Sequence, residues 1–373
     1  MKKFLVLSDS FKGTLSSRAI GSIAKETILA HFPDSEVKAI PIADGGEGTV
    51  DTFLEVLGGE AITRQVTGPD YRPVDATYAL FGETAVIEMA AAAGLPLVVE
   101  GRPDITTTFG VGQLILDAID RGAKKIVLGL GGSATNDGGC GCVCALGAKF
   151  FDEKDEEFIP SGASLHKIER FDLSKIDLKG VELSVMCDID NPLYGPQGAA
   201  YIFAPQKGAD PELVEELDHG LRSLAGLIKR DLAIDVSDLP GAGAAGGMGA
   251  GMVAFLGGSL KPGIDLILDL IDFDELIKDV DLILTGEGKL DEQSVRGKVV
   301  AGVARRAKKA AVPVIALVGQ VGDDIEAIYQ LGVEAVFVTN RYGLSFEDIK
   351  RRNVAQDYRR ALDDVLRLIK LSI

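Results

Sequence analysis

The stretch TRQVTGPDYRPVDATYALFGETAVIEMAAA, residues 63–92, decides how this chain is built. It holds three strand-like runs, TRQVTGPD, VDATYALFG and TAVIEMAA, joined by Gly68-Pro69-Asp70 and by Gly82. Parallel strands need a crossover of a dozen or more residues, and these joints are far shorter, so the three runs form an antiparallel meander. On either side the pattern changes. Short runs rich in Val, Ile and Leu recur as FLVLSDS (4–10), VKAIPIAD (37–44), KIVLGLGG (125–132), LSVMCDID (183–190), LILTGEG (282–288), VIALVGQ (314–320) and AVFVTN (335–340). They run into Gly, Asp, Ser or Asn, as buried parallel strands do at their carboxyl ends. Segments with helical spacing lie between several of them, such as Ser16 to His31, which puts Ile20, Ile23, Ala24, Thr27 and Ile28 on one face.

Alternating strand and helix means an α/β protein. The alternating runs sit at the two ends of the chain and the meander sits between them. The expected organisation is therefore a flavodoxin-like parallel-sheet domain made from residues 1–61 and 278–373, with a mixed-sheet α/β domain inserted at 62–277. The acidic DEKDEE (152–157) reads as a solvated turn.

Composition narrows the function. The chain has 373 residues, 46% apolar and 25% charged, as a folded protein of about two domains does. Its 39 basic and 56 acidic residues leave a formal net charge of −17, which repels nucleic acid and anionic membrane. A negatively charged ligand must then be met by local lysines and backbone N–H groups. The start MKKFLVLSDS is too short in apolar residues for a signal peptide, and no apolar run reaches a membrane span, so a cytoplasmic protein with small-molecule partners is expected. Cys140, Cys142, Cys144 and Cys187 lack C-x-x-C spacing and read as small buried thiols. No heptad or amphipathic tail specifies an oligomeric state.

Four glycine-rich or acidic segments follow expected strands, where open α/β sheets bind ligands. Asp9-Ser10-Phe11-Lys12-Gly13 leads into Thr14, Ser16 and Ser17, candidate caps of the next helix. It offers a carboxylate, a cation and an anion seat, or simply a strand-to-helix turn. Asp44-Gly45-Gly46-Glu47-Gly48 places two acids among glycines, which suits Mg²⁺ or substrate hydroxyls, or a turn with a capping Asp. GLGGSATNDGG (129–139) exposes many N–H groups and hydroxyls, as a phosphate cradle does. Thr285-Gly286-Glu287-Gly288-Lys289-Leu290-Asp291 echoes the Gly-Glu-Gly of 46–48, and Lys298 is followed by Val299, so there is no Walker A motif.

Other chemistries find little support. The three histidines, His31, His166 and His219, lie outside the glycine segments, and neither G-x-S-x-G nor H-E-x-x-H occurs. Gly129, Gly131 and Ala134 match the dinucleotide fingerprint and raise an NAD(P)-dependent oxidoreductase as an alternative, although Thr-Asn-Asp-Gly-Gly postpones the helix that this motif opens. A catalytically inactive sugar-acid-binding regulator is the other alternative. Carboxylates, lysines, Asn, Ser and Thr around glycine loops are the parts of metal-assisted phosphoryl transfer.

Six segments together resemble the type-1 glycerate kinases: DSFKGTLSS (9–17), PIADGGEGT (41–49), GLGGSATNDGG (129–139), CDIDNPLYGPQGAAYIFAPQKGA (187–209), GAGAAGGMG (241–249) and LTGEGKLDEQSVRGK (284–298). GCGCVCALG (139–147) and GKVVAGVA (297–304) depart from the family pattern as packing substitutions. The resemblance implies a restriction-endonuclease-like sheet in the inserted domain, and transfer of the γ-phosphoryl of ATP to D-glycerate with Mg²⁺. The implied product is 2-phosphoglycerate, with 3-phosphoglycerate the other outcome. Lys12 would meet the glycerate carboxylate or the transferring phosphoryl, and Asp9 and Asp44 are the candidate bases. Asp188, Asp190 and Asp291 would hold Mg²⁺, directly or through water. Gly131, Gly132, Ser133, Thr135, Asn136 and Asp137, with Gly246 and Gly247, would seat phosphates. Ser10, Glu47, Glu287, Lys289 and Lys298 complete the substrate and phosphate set, and Lys207 is a further cation for ATP.

Overall fold

The computed structural model describes residues 2–42, 48–291, 294, 298–340 and 346–371. Its strands are, in chain order, β1 (Lys3–Ser8), β2 (Glu36–Ala39), β3 (Glu60–Thr67), β4 (Pro73–Phe81), β5 (Thr84–Glu88), β6 (Lys125–Gly129), β7 (Lys149–Phe151), β8 (Glu157–Phe158), β9 (Arg170–Asp172), β10 (Glu182–Met186), β11 (Ser259–Lys261), β12 (Leu282–Gly286), β13 (Lys289–Leu290), β14 (Val314–Val318), β15 (Gln320–Val321) and β16 (Val333–Val338). The chain divides into two compact units, Met1–Asp44 with Pro262–Ile373, and Gly45–Lys261.

In the first unit, five strands pair in the order β2-β1-β12-β14-β16, all parallel. β1, β12 and β14 are buried along nearly their whole length, as central strands covered on both faces must be. The helix Ser17–His31 buries Ile20, Ala24, Thr27 and Ile28, the face its spacing predicts. Ser16 caps it by accepting a hydrogen bond from Ala19 N at 3.2 Å. It lies against the helix Val354–Leu371, to which it is tied by His31 Nε2 and Asp363 Oδ1 at 2.9 Å and by Arg359 and Glu26 at 2.7 Å. Phe4, Val6, Ile20, Leu284, Leu317, Tyr358 and Leu362 belong to a core of this unit's own.

The second unit carries a six-stranded mixed sheet in the order β11-β10-β6-β5-β4-β3. β3, β4 and β5 form the expected antiparallel meander, and β5, β6, β10 and β11 are parallel. A separate three-stranded antiparallel sheet, β8-β7-β9, flanks the exposed turn at 152–157. The core of this unit runs from Ile62 to Leu256 and includes Tyr78, Leu114, Phe150 and Leu221.

The bounds of the units differ from the expected junctions at 61/62 and 277/278. The helix Thr49–Leu57 belongs with the mixed sheet because it packs on β4 and β5. Its Phe53 stacks on Phe81 at 6.4 Å, and Glu88 Oε1 accepts from Val50 N. The helix Gly263–Leu270 belongs with the parallel sheet because it packs on the helix Val299–Lys309, where Arg305 pairs with Asp265 at 3.1 Å. Both helices are short, and their partners are distant in sequence, so local pattern does not assign them.

Replacing Ser16 with Ala removes the cap and should cost about 1 kcal/mol. Chemical denaturation followed by circular dichroism checks this, and an unchanged midpoint would refute the assignment of the cap.

Candidate active site

In the first unit the polar groups gather at the carboxyl edge of the parallel sheet. Ser8 is in register with Gly286, and Asp9 N donates to Gly286 O at 2.9 Å, so Asp9 and Glu287 continue side by side from adjacent strands. Asp9 Oδ1 accepts from Ser10 N at 2.6 Å. Phe11 and Leu15 pair across the tight turn that follows, and this leaves Lys12 exposed at its tip. Of the three candidate caps, Ser16 takes that role; Ser17 Oγ instead links Ser8 O and Ile42 N.

Glu287 is 4% exposed, and its Oε1 has no hydrogen-bond partner. Burial pushes its pKa up to about 7, with Asp9 and Asp291 adding to the rise and with Lys298 and Ser294 opposing it. Lys298 Nζ lies 3.9 Å from Glu287 Oε2 and 4.0 Å from Asp291 Oδ1, while Lys289 Nζ lies 3.3 Å from Asp291 Oδ2. Two acids and two lysines thus form one cluster beyond β12. Thr285 Oγ1, Thr339 Oγ1 and Asn340 Oδ1 are buried and unpartnered in the same unit. Asp44 and Glu47 lie outside the described residues.

In the second unit the glycine loop 130–139 leaves β6 and reaches the helix Cys140–Ala145 only after ten residues. A dinucleotide turn would open its helix at once, so the Gly129-x-Gly131 match is formal. Ser133, Thr135, Asn136 and Asp137 are all buried, and only Gly131 and Gly132 approach the surface. The loop is sewn to residues 89–97: Met89 N donates to Gly129 O, Leu95 N to Gly132 O and Ala134 N to Ala93 O.

Asp137 is where the structure departs furthest from the sequence reading. Its Oδ2 accepts from Thr108 N at 2.8 Å, Thr108 Oγ1 at 2.8 Å and Gly141 N at 3.2 Å, and its Oδ1 accepts from Gly139 N at 3.0 Å. Burial raises its pKa, and these bonds oppose the rise. A carboxylate engaged by four donors of its own chain is a brace for the loop and has little capacity left for a phosphate. Gly246 is corrected in the same sense. It has φ +67°, and a Cβ there would lie 2.1 Å from Thr135 O, so the residue lets two loops touch. Gly247 is buried beside it, against Leu221, Leu193 and Gly138.

Lys207 was expected to be a cation for ATP, but it is only 2% exposed. Its Nζ donates to Ser133 Oγ and to Thr135 O, both at 2.7 Å. Burial pushes its pKa down to about 7, and Asp137 opposes the fall. Asn136 is 1% exposed, with both side-chain atoms unpartnered, as is Thr135 Oγ1. Buried polar atoms of this kind are uncommon and mark a place for a ligand or water.

The Glycerate kinase family profile matches residues 4–370. The chain belongs to the glycerate kinase family. A glycerate kinase of Bacillus cereus is 48% identical over 341 residues, 90% of each chain. A glycerate 2-kinase of Escherichia coli is 45% identical over 341 residues, again 90% of each. A solved structure described as glycerate kinase 2 from Salmonella typhimurium LT2 matches at a TM-score of 0.85 and 40% identity, covering 100% of this chain and 99% of that one. Membership makes the chain an enzyme, a kinase with an alcohol group as acceptor. It sets aside the oxidoreductase and the inactive regulator.

Against that family background, Asp188 and Asp190 follow β10 and are exposed in the second unit, whereas Asp291 lies in the first. Among the described residues no three His, Cys, Asp or Glu side chains form a metal-sized group. No helix among them is long and apolar enough to cross a membrane. Cys140 and Cys142 are buried with pKa values raised by burial, while Cys144 and Cys187 are half-buried. The sequence reading missed Glu88 and the threonines 106–108, which are buried around the glycine loop. The threonines had a signal: three in a row, after Asp104-Ile105 and directly before an apolar helix, have no solvent-facing reason to be there.

The raised pKa of Glu287 has a definite sign. The native state holds a proton that the unfolded chain releases at the ordinary value of 4.5, so stability falls as pH rises from about 4.5 to about 7. Glu287→Gln should flatten that fall, worth on the order of 3 kcal/mol, in denaturation midpoints measured across the window. Parallel curves for both proteins would refute it. Gly246→Ala should destabilise by several kcal/mol through strain and the clash with Thr135, on the order of 4 kcal/mol by the same measurement.

Proposed function

We propose that the chain transfers the γ-phosphoryl of ATP to D-glycerate with Mg²⁺ and releases 2-phosphoglycerate in the cytoplasm, as a type-1 glycerate kinase. The observation that carries this reading is the 45% identity to a glycerate 2-kinase over 90% of both chains. The all-parallel order 2-1-3-4-5 supports a flavodoxin-like first domain, and the mixed six-stranded sheet supports an inserted restriction-endonuclease-like one.

Phosphoryl transfer passes through a loose transition state with charge spread over the equatorial oxygens, so its catalysis is positioning plus fixed positive charge. Glycerate adds a carboxylate that needs a cation and a hydroxyl that must lose its proton. Lys12, exposed at the carboxyl edge of β1, supplies the cation. Asp9, three residues before it, is the base within the described residues, and Asp44 is the other candidate. Ser10 and Glu287 border Asp9, and Lys289 and Lys298 add positive charge beyond β12. The loop 130–139 seats the phosphates.

Mg²⁺, when bound, neutralises charge on the phosphate oxygens. The ion takes one or two carboxylates and keeps several waters, and the exposed Asp188 and Asp190 offer such oxygens at the end of β10. Asp291, which pairs with Lys289 and Lys298, is the third candidate.

A coupled assay with D-glycerate, ATP and Mg²⁺ should show ADP release, and ³¹P NMR should show the phosphate on the C2 hydroxyl. No ADP above background would sink the assignment, and a C3 product would correct the position. Lys12→Ala should lower kcat by about a hundredfold or more with an unchanged melting curve. Turnover like that of the unsubstituted protein would remove Lys12 from the site.

A further inference from the structure

We infer that Lys207 and Thr106 are positioning residues that turn the donors of the 133–136 segment toward the nucleotide phosphates. The inference rests on the reading of this loop as the phosphate seat.

The geometry is that of two consecutive peptides. Thr106 Oγ1 donates to Ala134 O at 2.9 Å, and Lys207 Nζ donates to Thr135 O at 2.7 Å. In a trans peptide the C=O and the N–H point in opposite directions, and no peptide bond among the described residues is cis. Holding Ala134 O against Thr106 therefore turns Thr135 N–H away from that threonine, and holding Thr135 O against Lys207 turns Asn136 N–H away from the lysine. Two successive N–H groups that face one point are the donors of an anion-binding nest. Lys207 also donates to Ser133 Oγ at 2.7 Å. With Lys207 as the donor of that bond, the Ser133 hydroxyl directs its own proton elsewhere and becomes a third donor.

The lysine itself is built in. Its turn, Pro205–Lys207, lies against Gly101, where a Cβ would be 2.2 Å from Lys207 O. Lys207 and Thr106 are 2% and 1% exposed, and the Nζ and Oγ1 they offer face the carbonyl oxygens of the loop. The unpartnered Asn136 amide and Thr135 hydroxyl are the independent sign that this segment awaits a ligand.

The test is steady-state kinetics of Lys207→Met and Thr106→Val, each with thermal melting as a check of folding. Thr106→Val keeps the side-chain shape and removes only the hydroxyl. Lys207→Met should raise KM for ATP by about tenfold or more and Thr106→Val by about threefold to tenfold, with KM for D-glycerate and kcat changed by less than about threefold. An unchanged KM for ATP in the folded variants overturns the inference, as does a rise confined to KM for D-glycerate. If Lys207→Met does not fold, Thr106→Val decides alone by the same criterion. Absence of ATP-dependent product from the unsubstituted protein would be a failure of the kinase reading, which is a different result from an active protein whose variants behave like it.

Discussion

A carboxylate without access to water holds the glycine loop in shape. Asp137 accepts from Thr108 twice, from Gly139 and from Gly141, and so ties the end of the loop to the start of the helix Phe109–Asp120 and to the first turn of Cys140–Ala145. A buried charge is tolerable only when its lone pairs are met, and here the chain's own backbone meets them. The loop can then carry glycines, which have little to pack, because its shape is set by one acid instead of by side-chain volume. Gly246 completes the arrangement from the other side, where the close contact with Thr135 leaves no room for a Cβ.

The two units solve different electrostatic problems. In the second, the buried lysine and the buried acid are separated by the loop they both hold, so neither neutralises the other directly. In the first, Glu287, Asp291, Lys289 and Lys298 interact at 3.3 to 4.0 Å, and burial raises the pKa of Glu287. In a chain with a net charge of −17, these lysines are local positive groups, set beside acids in the first unit and beside backbone and hydroxyl oxygens in the second.

Much of the fold was legible in the sequence, for a physical reason in each case. The helix Ser17–His31 was readable because its buried face repeats at helical spacing, and the strands because buried parallel strands are continuous apolar runs. The meander was readable because its joints are too short for anything else. The helices Thr49–Leu57 and Gly263–Leu270 were not assigned to the right unit, since their partners are far away in sequence. The short strands β7 to β9 carry too few residues to show a period. Asp137, Gly246 and Lys207 were read as touching ligand, and in the structure their contacts are with the loop. Glu88 and Thr106 to Thr108 went unread.

The sequence by itself determined the α/β class and the antiparallel interruption. These follow from local spacing and from residue types, which need no neighbours to be interpreted. Tertiary structure alone decided which polar residue faces inward. Asp137 and Asp190 are the same side chain near the ends of parallel strands, and only burial and the four donors around one of them separate a brace from an exposed carboxylate. That distinction depends on burial and on the bonds from Thr108, 29 positions away, which no local pattern records.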